Sequence, residues 1–392
     1  GNFPTAPYPN PEIREAFKLA LELADEVKPD LLLATDPDSD RVGIAVKNGD
    51  EYTLMSGNEV GSVMLYYLLS QRTEKGTMPQ NPIAVKTIVT SRLCDKIAAD
   101  YGCEMVDILT GFKYIGEQIG LLEAKNEQGR YIMGFEESYG YLVGTYVRDK
   151  DAVVGSMMIC EMAAYFKTLG KTLIDVLNEL YEKYGMFLHK QLSFAFEGAE
   201  GMKIMANTME SLRNNPPTVI ADTEVVKVCD YGVSVATDLV SGEKTVIELP
   251  KSDVLAYSLN GGAEVIIRPS GTEPKIKIYL TAIGESKCAA TELMAKLESA
   301  AKPLLGILNT KIKAARKVFT RSFLSRFFNM KRFLCIILSI SIVFCVFSSC
   351  NTEETAQSSS NAENTSSVAE QQKPIIEEIG VNCPKCGGSL VI

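Results

Sequence analysis

The sequence has only one histidine, His189, among its 392 residues. This scarcity argues against Ser-His-Asp catalysis, Cys-His catalysis and histidine-rich metal sites. We therefore expect any acid–base chemistry to use Asp, Glu, Lys or Arg. An excess of basic residues is also missing, because the formal net charge is −9, and this argues against a general nucleic-acid-binding surface. An anionic ligand would have to be held by a local group of Lys, Arg and backbone N–H donors.

The first 300 residues also lack the cysteine spacings that are typical of disulfide frameworks and metal sites. Five cysteines are scattered singly through them: Cys94, Cys103, Cys160, Cys229 and Cys288. This distribution predicts a reducing, cytoplasmic location. The chain does not begin with Met, and its first residues have the character of the middle of a polypeptide without a targeting sequence. We therefore expect an N-terminal truncation.

The chain is long enough, and with 46% hydrophobic residues apolar enough, to bury two or three separate cores. Its first half alternates between helical and strand patterns. Helices are predicted at 11–27, 58–71, 91–101 and within 152–184, and strands at 31–34, 42–46 and 83–89. We expect this half to form α/β units with parallel sheets.

The pattern changes at about residue 190, where glycines, prolines and short β-rich runs replace the long helical periods. Strands are predicted at 225–229, 245–249, 264–268 and 275–282, followed by a helix near 286–301. The sequence therefore predicts consecutive α/β domains, then a smaller α+β C-terminal domain and a non-enzymatic tail. The predicted domains are 1–73, 74–188 and 189–305.

Carboxylates occur at every second position of the loop Asp36-Pro37-Asp38-Ser39-Asp40-Arg41, directly after a predicted buried strand. A tight loop can turn all three toward one hard cation, and Mg²⁺ takes oxygen ligands while leaving room for substrate phosphate. A solvated acidic turn would contain the same residues. An EF-hand is disfavoured, because its loop needs Gly at the sixth position and Glu at the twelfth, where this chain has Arg41 and Lys47.

A second polar segment, Gly134-Phe135-Glu136-Glu137-Ser138-Tyr139-Gly140, follows a strand-like run. Its flanking glycines permit close approach to a ligand. Two carboxylates and a hydroxyl suit sugar hydroxyls, which both donate and accept hydrogen bonds. Taken alone, the segment is equally consistent with a polar loop. Just downstream, Lys150 lies between Asp149 and Asp151, where a lysine would ordinarily form a surface ion pair.

A third segment, Arg268-Pro269-Ser270-Gly271-Thr272-Glu273-Pro274-Lys275, lies between two β-rich runs. Its glycine permits a nest of backbone N–H groups, its Ser and Thr add hydroxyl donors, and its Arg offers a fork that matches phosphate oxygens. Ser-Gly is also an ordinary hairpin turn. The full string is much less frequent by chance than that dipeptide, so it predicts a phosphate-binding loop.

These three segments resemble motifs of the α-D-phosphohexomutase superfamily, in the family order and at roughly the family spacing over residues 1–305. The resemblance implies a metal-binding domain in 1–73, of which the start is missing, a sugar-binding domain in 74–188 and a phosphate-binding domain in 189–305. It implies Mg²⁺ ligation by Asp36, Asp38 and Asp40. It implies sugar binding by Glu136 and Ser138. The implied contacts to the distal phosphate are Arg268, Ser270, Gly271, Thr272 and Lys275.

Three further residues gain roles only from the resemblance. Arg41 corresponds to a phosphate-facing residue of the family, and Lys150 to a candidate general acid or base. Lys113, in the string Thr110-Gly111-Phe112-Lys113, resembles another active-site lysine of the family. All three are therefore expected in the active site.

The implied activity is a Mg²⁺-dependent interconversion of glucose 1-phosphate and glucose 6-phosphate through a phosphoserine, with glucose 1,6-bisphosphate as intermediate and activator. Mannose and pentose phosphates are alternative substrates, although Glu136-Glu137-Ser138 favours glucose or pentose by resemblance. The family serine lies in a Thr-Ala-Ser-His-Asn-Pro type string, which does not occur in these residues. We therefore expect this polypeptide to bind Mg²⁺ and phosphosugar weakly and not to turn over.

Beyond residue 306 the composition predicts a basic linker (306–332), an apolar segment (333–350) and a disordered polar tail (351–392). Residues 330–350 resemble a lipoprotein signal peptide, with a short transmembrane anchor as the alternative. Any membrane contact is expected through 333–350 alone. We expect that two unrelated coding segments have been joined here. A membrane-anchored, non-catalytic phosphosugar-binding protein remains the alternative. Cys383 and Cys386 resemble half of a zinc ribbon.

Overall fold

A computed structural model of the chain describes residues 2–196, 198–270 and 274–306, together with 381–382 and 389–390. Residues 2–302 of the described part belong to one compact unit. Several predictions concern residues outside the described part of the chain. They are the roles of Gly271 and Thr272, the basic linker after residue 306, the segments 333–350 and 351–380, and the cysteine pair Cys383 and Cys386.

The N-terminal part is a three-stranded antiparallel sheet preceded by a helix. Its elements are a 3₁₀ helix (Arg14–Phe17), α1 (Lys18–Val27), β1 (Leu31–Thr35), β2 (Val42–Asn48) and β3 (Glu51–Met55). Strand β2 lies between β1 and β3, and Thr35 pairs with Val42. The expectation of parallel strands is wrong here, because the loop 36–41 is far shorter than the dozen or more residues of a parallel crossover.

The second part is a mixed sheet with five helices among its described elements. They are α2 (Gly57–Glu74), β4 (Ile83–Thr87), α3 (Leu93–Asp100), β5 (Glu104–Ile108), α4 (Lys113–Ala124), β6 (Tyr131–Glu136), β7 (Gly140–Leu142), α5 (Ala152–Thr168) and α6 (Leu173–Tyr184). The strand order is β5-β4-β6-β7. Strand β4 is parallel to β5 and β6, as expected for an α/β unit, whereas β7 returns antiparallel to β6.

Side-chain caps and burial explain why these elements form. Ser56 and Glu59 make a capping box at α2, Thr172 and Asp175 make one at α6, and Asp151 caps α5. Strand β4 is buried along its whole length, as is typical of the central strand of a parallel sheet. The carboxyl ends of β4, β5 and β6 meet at one edge of the sheet, which is where open α/β sheets bind ligands.

The C-terminal part is an antiparallel sheet with two helices among its described elements. They are β8 (Met186–Ala195), α7 (Gly198–Asn214), β9 (Val219–Ile220), β10 (Thr223–Asp230), β11 (Val235–Asp238), β12 (Lys244–Val246), β13 (Leu255–Leu259), β14 (Glu264–Pro269), β15 (Lys275–Gly284) and α8 (Lys287–Leu304). The order is β12-β11-β10-β13-β14-β15-β8, with β9 beside β10. This confirms the predicted α+β texture. Near the chain end, β16 (Val381–Asn382) pairs with β17 (Ser389–Leu390).

The C-terminal sheet packs on the loop that follows β4. Ile88 and Val89 of that loop share a buried apolar cluster with Ile266 of β14 and Tyr279 of β15. Arg92 adds an ion pair, with its Nε 3.1 Å from a carboxylate oxygen of Glu264. This packing holds the start of the third sequence segment near the carboxyl edge of the second sheet.

Within the described residues, no single helix has the length and apolar composition needed to cross a membrane. One pair, α5 with α6, meets that test only when the two are taken together across an 81° bend. Ile159, Met162 and Leu177 of this pair lie in the main buried cluster of the chain.

Candidate active site

The three aspartates of the loop 36–41, which we call the metal loop, lie close together. One carboxylate oxygen from each of Asp36, Asp38 and Asp40 lies within 4.8 Å of the others. The loop closes the β1–β2 hairpin, with a hydrogen bond from the Asp36 N–H to the Arg41 carbonyl at 3.2 Å. Ser39 takes a positive φ of 57° at its tip. The hairpin therefore does what the alternating sequence predicted, turning all three carboxylates toward one point.

Asp36 is the buried anchor of this loop. Its Oδ1 accepts hydrogen bonds from the N–H groups of Asp40 and Arg41 at 3.1 and 3.0 Å, and its Oδ2 accepts one from Arg41 Nε at 2.7 Å. Burial alone would raise the pKa of Asp36, but the hydrogen bonds from Arg41 outweigh it and lower the pKa to about 2. Arg41 also lies 3.3 Å from Glu12. Asp36 is therefore ionised, and Arg41 is engaged in holding the loop.

Asp40 has one oxygen paired with a lysine and one that makes no hydrogen bond. Its Oδ2 lies 2.7 Å from Lys150 Nζ. Its Oδ1 is buried, has no hydrogen-bond partner and lies 3.6 Å from Arg41 Nε. Burial raises the pKa of Asp40, and the contact with Lys150 opposes the increase. Three clustered carboxylates, one with an unsatisfied oxygen, form an all-oxygen donor set that fits a hard divalent cation such as Mg²⁺.

Lys150 lies between two carboxylates, 2.7 Å from Asp40 and 3.3 Å from Asp149. Burial would lower the pKa of Lys150, but these two aspartates raise it, so the side chain is a charged donor. Gly140 packs against its stem, and a Cβ at that position would come within 2.5 Å of Lys150 Cδ. The sequence alone suggested that Lys150 forms an ordinary surface ion pair. In the structure it contacts the metal loop through Asp40.

Glu136 ends β6 at the carboxyl edge of the sheet and is 8% exposed. Its Oε1 accepts a hydrogen bond from the N–H of Gly111 at 2.9 Å. Burial raises the pKa of Glu136, while the Gly111 N–H and the charges of Lys150 and Arg268 oppose the increase. Glu136 therefore lies in the electrostatic field of two cations, Lys150 beside the metal loop and Arg268 on β14.

The loop after β6, which carries Ser138, is joined directly to the β1–β2 hairpin. Val42 N–H donates to the carbonyl of Tyr139 at 3.1 Å. Ser138 is partly buried within this loop, and Tyr139 has a positive φ of 67°. The predicted metal and sugar segments are thus parts of one hydrogen-bonded frame.

Thr87 and Thr90 are site neighbours that the sequence interpretation missed. Thr87 Oγ1 lies 2.8 Å from Thr90 Oγ1 and donates to Glu137 Oε2 at 3.2 Å. Burial, together with the charge of Glu136, raises the pKa of Glu137 to about 7. A signal was available in the sequence, because Thr87 ends β4 and the carboxyl end of a central parallel strand is where ligand sites form.

The predicted phosphate loop, residues 268–275, is described by the structure only at its two ends. Burial raises the pKa of Tyr279 on β15, and the nearby Arg268 of β14 opposes the increase. Ser270 N–H donates to the carbonyl of Lys275 at 2.7 Å, which closes the base of the loop. Lys275 begins β15 and pairs with Ala195 of β8.

Lys113 is a predicted site residue that lies on the exposed surface of α4. It is exposed at the first position of α4, with its Nζ 4.8 Å from the centre of the Tyr114 ring. No ion pair within 4 Å joins it to a carboxylate of the described residues. The structure thus brings together Asp40, Lys150 and Glu136, and leaves Lys113 at their periphery.

Comparisons with known proteins decide the family. Residues 56–184 match the family model for phosphoglucomutase/phosphomannomutase alpha/beta/alpha domain III, and residues 1–49 match the model for domain II. A phosphoglucomutase from Staphylococcus saprophyticus is 36% identical over 282 residues, which cover 72% of this chain and 50% of that protein. This chain belongs to the phosphoglucomutase/phosphomannomutase family. The resemblance drawn from the three sequence segments is thereby confirmed.

A further relative in the phosphoglucomutase/phosphomannomutase family gives the same result. A phosphoglucomutase from Staphylococcus aureus is 37% identical over 281 residues, covering 71% of this chain and 50% of that protein. The chain spans about half the length of the curated relatives it matches.

Solved structures confirm the fold of the phosphoglucomutase/phosphomannomutase family. Parafusin from Paramecium, a phosphoglucomutase, aligns with a TM-score of 0.55 at 17% identity, covering 77% of this chain and 50% of that one. A phosphoglucomutase/phosphomannomutase family protein from Burkholderia thailandensis aligns with a TM-score of 0.50 at 14% identity, covering 76% and 51%.

Proposed function

We propose that this chain supplies the metal-, sugar- and distal-phosphate-binding parts of a phosphosugar mutase that interconverts glucose 1-phosphate and glucose 6-phosphate. The observation that carries the proposal is that negatively and positively charged side chains of the three predicted segments lie close to one another. Asp40 pairs with Lys150, and Glu136 lies in the field of both Lys150 and Arg268. A cation site, a sugar-facing carboxylate and a phosphate-facing arginine in one region are what a phosphosugar needs.

Asp36, Asp38 and Asp40 are the residues that would hold Mg²⁺. A bound Mg²⁺ would supply positive charge that stabilises the negative charge spread over a transferring phosphoryl group. The chain's own residues do the rest of the work. Arg41 keeps Asp36 ionised and the loop closed, and the Lys150 ammonium is placed to donate to a phosphoryl oxygen or to move a proton at its Nζ.

Glu136 and Ser138 would orient the sugar ring, since a carboxylate accepts from hydroxyls and a serine both accepts and donates. Arg268, with the loop that Ser270 and Lys275 close, would bind the phosphate that is not reacting. In this scheme a phosphoserine gives its phosphoryl group to the substrate. The glucose 1,6-bisphosphate that forms reorients in the site and returns its other phosphoryl group to the serine. Glucose 1,6-bisphosphate therefore acts as both intermediate and activator.

The serine string of the family does not occur in the 392 residues. We therefore propose that the isolated chain binds Mg²⁺ and glucose phosphates but does not convert them. The test is a coupled assay of glucose 6-phosphate formation from glucose 1-phosphate, run beside titration calorimetry with glucose, mannose and pentose phosphates in MgCl₂. Binding that is tightest for the glucose phosphates, without conversion, supports the proposal. Robust conversion would contradict the requirement for the serine string. Tighter binding of a mannose or pentose phosphate would mean that this sugar phosphate, and not glucose phosphate, is the substrate.

We also propose a cytoplasmic location for residues 1–305. Support comes from the cysteines of the described residues, all five of which are free thiols. Fractionation of cells that make the full chain, with antibodies to its N-terminal part, tests this proposal. Recovery in the soluble cytoplasmic fraction is expected, and recovery with membranes would contradict it.

A further inference from the structure

Asp151 occupies the N-cap of α5, directly after Lys150. Its Oδ1 accepts hydrogen bonds from the N–H groups of Val153 and Val154 at 2.8 and 3.1 Å. Its Oδ2 accepts one from the Tyr146 hydroxyl at 2.6 Å. A side chain that satisfies two of the free N–H groups fixes the start of a helix. Both oxygens of this carboxylate are therefore used to hold the first turn of α5 in place.

This first turn supports the metal loop from outside it. Ala152, the first residue of α5, donates its N–H to the carbonyl of Ser39 at 3.0 Å. Ser39 is the residue at the loop tip with the positive φ of 57°. A non-glycine residue in that conformation costs roughly 1–2 kcal/mol and persists only where its surroundings hold it. The α5 amide is one of the groups that hold it.

The backbone of Asp151 also forms a hydrogen bond with β7, the strand after the predicted sugar-binding segment 134–140. Its N–H donates to the carbonyl of Tyr141 on β7 at 3.0 Å. Strand β7 follows the loop that carries Ser138, and Glu136 ends the strand before that loop. The residue before the cap is Lys150, whose ammonium reaches Asp40 at 2.7 Å. Asp151 thus connects the helix start with β7, and its two sequence neighbours, Lys150 and Ala152, contact the metal loop.

We propose that Asp151 is a positioning residue, which acts through Ala152 and Ser39 to hold the metal loop in its cation-binding shape. The inference rests on the proposed function, because it assigns a role to the aspartate cluster as a cation site. Asp151 itself does not join the cluster, and its effect on the cation is exerted through the order of the loop.

A purely structural cap would stabilise the protein without affecting the loop, and α6 provides the matched control. Thr172 caps α6 in a capping box with Asp175, and both residues are exposed. Loss of either cap should lower the free energy of unfolding by a similar amount, about 1 kcal/mol. Only the loss at α5 should reach the metal loop.

The experiment compares the full chain with Asp151→Ala, Asp151→Asn and Thr172→Ala. Hydrogen exchange followed by mass spectrometry reports the order of residues 36–43 without any ligand, and calorimetry with MgCl₂ reports the cation affinity. For Asp151→Ala we expect roughly tenfold weaker Mg²⁺ binding, since the loop must then be ordered at the moment of binding. Hydrogen exchange in residues 36–43 should be about tenfold faster than in wild type. In Asp151→Asn the exchange rate and the Mg²⁺ affinity should both stay at their wild-type values, because Asn is an equally good cap.

The outcomes separate this inference from the proposed function. If wild type binds Mg²⁺ and Asp151→Ala matches Thr172→Ala in both exchange and affinity, the positioning role is wrong and the proposed cation site stands. If wild type shows no Mg²⁺ binding, the cation site fails, and the positioning role fails with it. Faster exchange and weaker binding in Asp151→Ala alone, reversed by Asp151→Asn, support the inference.

Discussion

The ammonium of Lys150 lies 2.7 Å from Oδ2 of Asp40, so the segment just before α5 and the metal loop meet in an ion pair. The two side chains are 19% and 25% exposed, which leaves the pair only partly screened by water. The same carboxylate belongs to the three-aspartate cluster. A cation bound there would share Asp40 with the lysine.

Replacing Lys150 should therefore change the two binding properties in opposite directions. In Lys150→Gln, removal of the positive charge should strengthen Mg²⁺ binding by about threefold to tenfold. Binding of glucose 1-phosphate should weaken, because a donor to phosphate is lost. The Mg²⁺ effect is opposite in sign to that of Asp151→Ala, which leaves the charge and loosens the loop. Calorimetry with each ligand measures both effects.

Lys167→Gln is the control for a general effect of lost charge, because Lys167 pairs with Asp30 at 2.6 Å on the surface. It should leave both affinities unchanged. Weaker Mg²⁺ binding in Lys150→Gln would contradict the electrostatic account of this pair.

Gly140 leaves the space that the stem of Lys150 occupies. In Gly140→Ala the new Cβ would come within 2.5 Å of Lys150 Cδ, so the lysine side chain must move from the position in which it pairs with Asp40. We expect a loss of stability of about 1–3 kcal/mol from overpacking, together with weaker phosphosugar binding. Urea unfolding and calorimetry measure the two effects.

Gly129→Ala provides a matched control, because a Cβ at Gly129 meets nothing within 4 Å. It should be neutral in both measurements. An unchanged phosphosugar affinity in Gly140→Ala would show that the position of Lys150 does not matter for binding.

Glu137 should make the protein less stable as pH rises. Burial, with the charge of Glu136, raises the pKa of Glu137 from 4.5 to about 7 in the folded protein. Between these values the unfolded chain loses a proton that the folded protein keeps, so stability falls as pH increases through that window. Glu137→Gln should remove this dependence and raise the free energy of unfolding by roughly 1–3 kcal/mol at mildly alkaline pH.

Urea unfolding at mildly acid and mildly alkaline pH tests this prediction. Glu117→Gln, on the exposed side of α4, is the control and should follow wild type. Parallel pH profiles for wild type and Glu137→Gln would mean that the buried carboxyl is already ionised.

His189 should act in the opposite direction, by weakening the fold in acid. Its Nε2 lies 2.8 Å from Ser91 Oγ and its Nδ1 lies 3.1 Å from Thr281 Oγ1. Burial, with the charge of Lys86, lowers the pKa of His189 from 6.5 to about 4. The unfolded chain binds a proton in this window and the folded protein does not, so the contribution is complete above 6.5 and is lost as pH falls toward 4.

Because the chain has a single histidine, one imidazole signal in a proton NMR titration reports this group without a mutant. A midpoint near 4 is expected. A midpoint near the ordinary value of 6.5 would show that the ring is exposed to water in solution.

The sequence predicted most of the regular elements of the two α/β parts, because their apolar periods are long and their turns are rich in Gly and Pro. It did not predict the antiparallel direction of β1 and β2, since both directions give the same buried pattern and the short loop 36–41 is what decides between them. It also missed the helices α4 and α7 and the strands β3, β5, β7, β8, β9, β11 and β13.

In the site, contacts between residues close in sequence were predictable, and contacts between residues far apart in sequence were not. Clustering of Asp36, Asp38 and Asp40 was predictable, because the three lie on one loop. The contact between Asp40 and Lys150 spans more than a hundred residues and depends on how α5 packs, so no local pattern contains it. The same is true of Thr87 with Glu137, which meet only because β4 and β6 are neighbours in the sheet.

The most direct test of the central claim is calorimetric titration of the full chain with glucose 1,6-bisphosphate in MgCl₂. Wild type, Glu136→Ala and Arg268→Ala are compared, with Glu117→Ala as the exposed control. If the three segments form one phosphosugar site, wild type and the control bind saturably with equal affinity. Glu136→Ala and Arg268→Ala should then each weaken binding by roughly tenfold or more. A folded wild-type chain that shows no saturable binding, or binding that neither substitution changes, would contradict the account.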